Sequence, residues 1–120
     1  MLPKEYRLPS NTRLVKPHFF RTPLFAVKIS QTDLPQNRFA FLVRKTVDKR
    51  AVVRNRIRRL LRSCIEELIE QIPSGYDMLF FLEKGIMEKS QKELRLELKA
   101  FLKQKGLLKT EVVSQPNTRV

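Results

Sequence analysis

Nine basic side chains crowd into residues 44–62 of this 120-residue sequence: Arg44, Lys45, Lys49, Arg50, Arg54, Arg56, Arg58, Arg59 and Arg62, against a single acid, Asp48. The chemistry open to such a set is recognition of a polyanion, because Lys and Arg that neutralise phosphates release condensed counterions. From residue 51 onward the cations are all arginine, with no lysine up to residue 71. Guanidinium offers a planar fork for bidentate phosphate contacts and a flat face for stacking on bases, where lysine is a point charge. Covalent or acid–base catalysis has far thinner support. His18 is the only histidine and lies in a proline-rich stretch, and Cys64 is the only cysteine. That count excludes an intramolecular disulfide and any cysteine-based zinc site. Glu66 and Glu70 share a helix face but lack a third inward ligand, so with Glu67 they read as a solvated face.

The element that must position the arginines is a helix over residues 51–71. Val53, Ile57, Leu60, Leu61, Cys64 and Leu68 recur at i, i+3, i+4 and i+7 as one apolar stripe, which puts Cys64 in the core. At about 100° per residue from Val53, Arg54, Arg58 and Arg62 fall near 100°, 140° and 180°, and Arg59 and Arg56 near 240° and 300°. One side packs; the rest presents a fan of guanidiniums around Asn55. The acids occupy only the late turns, the reverse of what the helix macrodipole prefers. An anion docked on the first turns accounts for that order, since free N–H groups and arginines would bind it together.

Around this helix the patterning is that of a small α+β domain. Residues 1–22 are basic and interrupted by prolines, which favours extended backbone with room for one helical turn at residues 11–16. Residues 23–30 alternate, with Phe25, Val27 and Ile29 on a buried face, and turn residues follow over 31–37. A second strand is expected over 38–47, with Phe39, Phe41 and Val43 on one side and Ala40, Leu42 and Arg44 on the other. Tyr76–Leu82 is nearly all apolar, as in an interior strand covered on both faces. Ser90 and Glu93 form a capping box for a last helix over Gln91–Gln104, and Gly106 suits the position just past its end. The chain is expected to form one domain over residues 1–108 with a flexible tail over 109–120.

A formal net charge of +13 and a pI near 10.5 favour a nucleic-acid partner. An anionic membrane surface is the rival, but the apolar stripe is matched by apolar strands that need covering. No apolar run reaches the roughly 20 residues of a membrane helix, and residues 1–13 lack a signal-peptide core, so the expected location is the cytoplasm.

The run Ala51-Val52-Val53-Arg54-Asn55-Arg56-Ile57-Arg58-Arg59-Leu60-Leu61-Arg62 resembles the signature helix of the bacterial ribonuclease P protein family, Ala-Val-x-Arg-Asn-Arg-x-Lys/Arg-Arg-x-x-Arg. Arg7-Leu8, Pro23-Leu24-Phe25, the strand before the motif, Tyr76-Asp77 and the last helix agree in order, so the resemblance spans roughly residues 4–108. It implies an α+β fold like the second domain of ribosomal protein S5: a small, mainly antiparallel sheet with helices packed on it and a left-handed β-α-β crossover. It implies a ribonucleoprotein whose RNA subunit is the catalyst and which removes the 5′ leader of precursor tRNA with bound Mg²⁺, the ion being held mainly by the RNA and the substrate. The protein would act as a monomer in a 1:1 complex with the RNA and contribute no catalytic residue. By similarity, Lys45, Lys49, Arg50, Arg54, Asn55, Arg56 and Arg59 would meet the catalytic RNA, and Phe25, Lys28, Arg58 and Arg62 the leader. Phe19 and Phe20 are candidates for the leader cleft, with core packing the alternative. Three departures stand out: a shorter, proline-rich N-terminal segment, Asp48-Lys49-Arg50 in place of the usual glycine, and Glu83 where an arginine is common. A structural RNA-binding protein, such as a ribosomal component, is the competing reading.

Overall fold

The computed structural model describes residues 4–9 and 12–108. A single sheet carries the strands β1 (His18–Arg21), β2 (Phe25–Gln31), β3 (Arg38–Val43) and β4 (Tyr76–Leu82) in the order β1-β2-β4-β3. The β1/β2 and β2/β4 pairs are antiparallel, while β3 and β4 run parallel with Arg38 opposite Asp77 and Val43 opposite Leu82. Parallel neighbours need a crossover, which α1 (Ala51–Leu68) supplies. A 3-10 turn at Ile69–Gln71 completes the expected helical stretch.

Helices cover one face of the sheet. Val27, Met78 and Phe80, from β2 and β4, are fully buried with Leu61, Cys64 and Ile65 of α1 and Leu94, Leu98 and Leu102 of α2 (Gln91–Gln104). Each such aliphatic or aromatic side chain contributes about 1.5–3 kcal/mol by leaving water. Burial pushes the Cys64 thiol up to about 11, with Glu67 adding to the shift, so it remains an uncharged core side chain at neutral pH. The other face carries a smaller cluster, Leu8, Ala40 and Leu79, flanked by half-buried Leu14, Leu42 and Phe81. β4 is therefore covered on both faces over part of its length.

The ends of α2 match their sequence signals. Ser90 Oγ accepts from the Glu93 N–H at 3.1 Å and the Glu93 carboxylate accepts from the Ser90 N–H at 2.9 Å. Gly106 (φ +72) takes the left-handed position, where its N–H donates to the Lys103 carbonyl and that of Leu107 to the Leu102 carbonyl. Replacing Ser90 by alanine is expected to cost about 1 kcal/mol in chemical denaturation, without altering the slope of the transition.

Several boundaries differ from the patterning. Residues 12–16 form no helical turn, and Asn11 lies outside the described residues, as does the proposed tail. The proline-flanked segment instead yields β1, which pairs with β2 through a tight turn where Thr22 Oγ1 accepts from the Leu24 and Phe25 N–H groups at 3.1 Å. β3 ends at Val43 rather than Val47, because the Val47 N–H turns back to the Arg44 carbonyl and the Val47 side chain joins the core. Ahead of the sheet, Arg7 forms a parallel bridge with Phe39, and the Leu8 N–H donates to the Phe39 carbonyl at 2.8 Å. The N-terminal segment thereby shields the β3 edge, which would otherwise offer unpaired backbone groups.

Candidate nucleic-acid interface

The connection into α1 is built around Asp48. Its carboxylate accepts the Arg50 N–H at 2.8 Å and is gripped by the Arg50 guanidinium at 2.9 and 3.0 Å. The Arg50 side-chain and backbone hydrogen bonds hold the Asp48 carboxyl at about 2, so the clamp survives to strongly acidic pH. Arg54 reaches back from the first turn, its Nη1 donating to the Asp48 and Lys49 carbonyls at 3.0 and 2.8 Å. Asp48-Lys49-Arg50, the longer replacement for a glycine, is thus a fixed turn with its own internal bonds. Arg50 is the N-cap residue but makes no side-chain cap, and the first turn of α1 holds no acid. Uncapped N–H groups and neighbouring cations together favour an anion here.

Two basic surfaces leave α1. Arg56 and Arg59 are exposed and line a groove of about 520 Å³ against Ile86, Met87 and Lys89 of the 3-10 turn region 84–89. Lys45, Lys49 and Arg50 are exposed in the turn leading to the same helix, and Asn55 is exposed with its side-chain oxygen accepting from Arg58. All seven side chains expected at the catalytic RNA therefore sit on α1 or its approach. Lys45, expected at a strand end, lies in the 45–47 turn.

The second surface faces β3. Arg58 and Arg62, both half-buried, line a groove of about 320 Å³ with Arg7, Leu8, Ala40 and Leu42. Desolvation of Arg62, with Arg58, Arg7 and Arg59 repelling it, depresses its guanidinium from the usual value. Gathering four like charges is costly unless an anion neutralises them.

From this groove the uncovered sheet face continues toward β1. Phe81 on β4 lies between two cations, with Lys28 Nζ and Arg44 Cζ each 5.8 Å from its ring centroid. Phe19 pairs in register with Lys28, points to the same face and is 56% exposed. An aromatic ring flanked by cations can stack a base and hold its phosphate. Arg7, Arg44 and Phe81 join these surfaces without having been singled out as site residues. Arg7 is legible in the sequence as part of the N-terminal Arg-Leu pair and Arg44 as one of the basic cluster, whereas Phe81 is hidden in a strand with both faces apolar.

Two expected leader residues are elsewhere. Phe25 is 2% exposed and packs edge-on against Phe80 and Phe101, beneath α2. It faces the helices because strand alternation puts it with Val27 and Ile29, opposite to Lys28. Phe20 pairs with Val27 on that same helix-facing side, half-buried against Phe101 and capped by Lys105. Glu83, the acid at the end of β4, is neutralised in part by Arg21 at 3.6 Å.

Among the described residues no three His, Cys, Asp or Glu side chains come together to hold a metal ion. No described helix is long and apolar enough to cross a membrane.

Comparison with known proteins identifies the family. The family model for ribonuclease P matches residues 2–106. The ribonuclease P protein component of Microcystis aeruginosa is 34% identical over 86 residues, covering 71% of this chain and 72% of the relative. The Staphylococcus aureus ribonuclease P protein superposes with a TM-score of 0.76 at 22% identity, covering 88% of this chain and 99% of that one. The Thermotoga maritima ribonuclease P protein gives a TM-score of 0.68 at 19% identity, covering 74% and 84%. The α+β fold, the arginine-loaded crossover helix and the family match converge: the chain belongs to the ribonuclease P protein family, as an RNA-binding protein component of that tRNA-processing ribonucleoprotein.

Proposed function

We propose that the chain works in the holoenzyme by dividing two RNA ligands between the two sides of α1. Arg56, Arg59 and Asn55, with Lys45, Lys49, Arg50 and Arg54 at the helix approach, bind the catalytic RNA. Arg58 and Arg62 bind the 5′ leader of precursor tRNA, which runs from the β3 groove over Phe81 to Lys28 and Phe19. Phe20 and Phe25 play no part in that path, because they face the helices. The observation that carries the reading is the gathering of half-buried Arg62 with Arg58 and Arg7 in one groove beside a sheet face that carries Phe81 and exposed Phe19.

Bound Mg²⁺ supplies the activated water and charge stabilisation for phosphodiester hydrolysis. On this reading the RNA and the substrate hold that ion. The chain contributes position and charge: it fixes the leader and neutralises phosphates that would otherwise repel one another near the scissile bond. The RNA subunit performs the cleavage, the complex is 1:1, and the location is the cytoplasm. A purely structural role in another RNA assembly has no observation in its favour beyond the shared charge.

Purified protein is expected to cleave no precursor tRNA by itself. Added to a ribonuclease P RNA, it should lower the Mg²⁺ concentration needed for cleavage and make substrate affinity depend on leader length. Robust cleavage by the RNA-free protein, or affinity indifferent to leader length, would overturn the division of labour.

A further inference from the structure

A cavity of about 550 Å³ lies on the side of the sheet facing α2, at the β1 edge. Its walls come from β1, β2, the first residue of β4 and the end of α2, and no residue of β3 or α1 borders it. The face is also the opposite one from Lys28 and Phe81. Neither surface of α1 reaches it. Lys16, His18, Gln31, Tyr76 and Lys105 supply its polar lining, Ile29 and Leu107 part of its apolar lining, and no carboxylate is among the lining residues.

Three separate segments hold this lining in place. Lys16 has φ 47 and is the described non-glycine residue with left-handed backbone, a conformation that persists only where the surroundings enforce it. Ser30, buried in β2, donates its hydroxyl to the Val15 carbonyl at 2.5 Å and anchors that bend. Lys105 ends α2, and its ammonium stands 4.7 Å above the Phe20 ring. Two exposed lysines from distant parts of the chain thus converge on one concavity with an aromatic wall.

We propose that this cavity binds a nucleotide of single-stranded RNA, with its phosphate between Lys16 and Lys105 and its base against Tyr76 and the apolar lining. The volume is that of a small-molecule site and exceeds what a bare phosphate fills. The absence of acids in the lining and the paired lysines select an anion, and the apolar wall selects one with a flat, weakly polar part. The choice of RNA over an anionic lipid surface rests on the function proposed above.

Isotope-labelled full-length protein, titrated with hexauridylate at low salt, tests the site. Saturable amide shifts are expected at Lys16, His18, Gln31 and Leu107. The double variant Lys16→Gln, Lys105→Gln should weaken binding there about tenfold, as for two lost phosphate contacts, while resonances around Arg56 and Arg59 respond as before. Wild-type shifts confined to α1 and the open sheet face would overturn the proposal. So would unchanged affinity at the cavity in the double variant, or a response at these residues to phosphatidylglycerol vesicles but not to the oligonucleotide. Absence of any wild-type response at Arg56 and Arg59 would count against the RNA-binding reading of α1 instead, so the two failures are distinguishable.

Discussion

Replacing Arg56 and Arg59 together by alanine should weaken binding of the ribonuclease P RNA on the order of 100-fold at about 0.1 M salt, with the protein left as stable as before. Both side chains are exposed and make no hydrogen bond or ion pair with another described residue, so substitutions there should shift unfolding by no more than about 0.5 kcal/mol. The loss is electrostatic: each phosphate contact removed should lower the slope of log K against log salt by about 0.7–0.9. Affinity measured over a salt series separates this from a local distortion, which would weaken binding without changing the slope. Unchanged affinity and slope in the double variant would remove this side of α1 from the interface. Arg54→Ala should behave differently. It deletes the hydrogen bonds to the Asp48 and Lys49 carbonyls, so about 1 kcal/mol of stability goes with the affinity.

The largest effect on stability is expected at Asp77. The residue is 3% exposed, and its carboxylate is held by the Arg38 guanidinium in a two-pronged pair, Nε to Oδ1 at 2.9 Å and Nη2 to Oδ2 at 2.7 Å. Donating these hydrogen bonds to Asp77 raises the Arg38 guanidinium above its ordinary value, against the opposing pull of burial. Asp77→Ala leaves a half-buried cation unpaired at the start of the β3/β4 pairing and should cost about 3–5 kcal/mol in urea denaturation. Asn37 bonds the Tyr76 N–H beside it at 2.9 Å, so the damage would reach the first rung of the ladder. The double variant Arg38→Leu, Asp77→Leu should recover most of that loss, because a packed apolar pair avoids the desolvation of both charges. A double variant as unstable as the single one would mean that the charges themselves, and not merely their pairing, hold the strands together.

Much of this was readable from residue types. The helical stripe of α1, the buried strand Tyr76–Leu82 and the Ser90/Glu93 cap each rest on local physics, and each is present. β1 was not readable, because His18-Phe19-Phe20-Arg21 shows little burial alternation and takes its structure from β2. Residues 44–47 carry strand-favouring Thr46 and Val47, yet the backbone bond from Val47 to Arg44 and the burial of Val47 override propensity. Phe25 is the instructive case. Its own alternation with Val27 and Ile29 pointed to the core, while the family likeness pointed to the leader cleft, and the alternation is what the fold obeys. For the interface, the charge density and arginine bias located α1, but periodicity could not say which arginines face β3. That depends on the strand order β1-β2-β4-β3, which places β3 at the edge under Arg58 and Arg62.

The parallel pairing of β3 with β4 also bears on how the chain folds. Arg38 and Asp77 meet across 39 residues, whereas the β1/β2 hairpin closes locally. Closing that long loop has an entropic cost, reduced when the intervening residues are already helical and compact. α1 is therefore the strap whose formation brings the last strand to its place. Its early turns carry the arginines that repel one another, so the same charges that recruit RNA retard sheet closure in its absence. Folding in the presence of a polyanion should be faster for the same electrostatic reason.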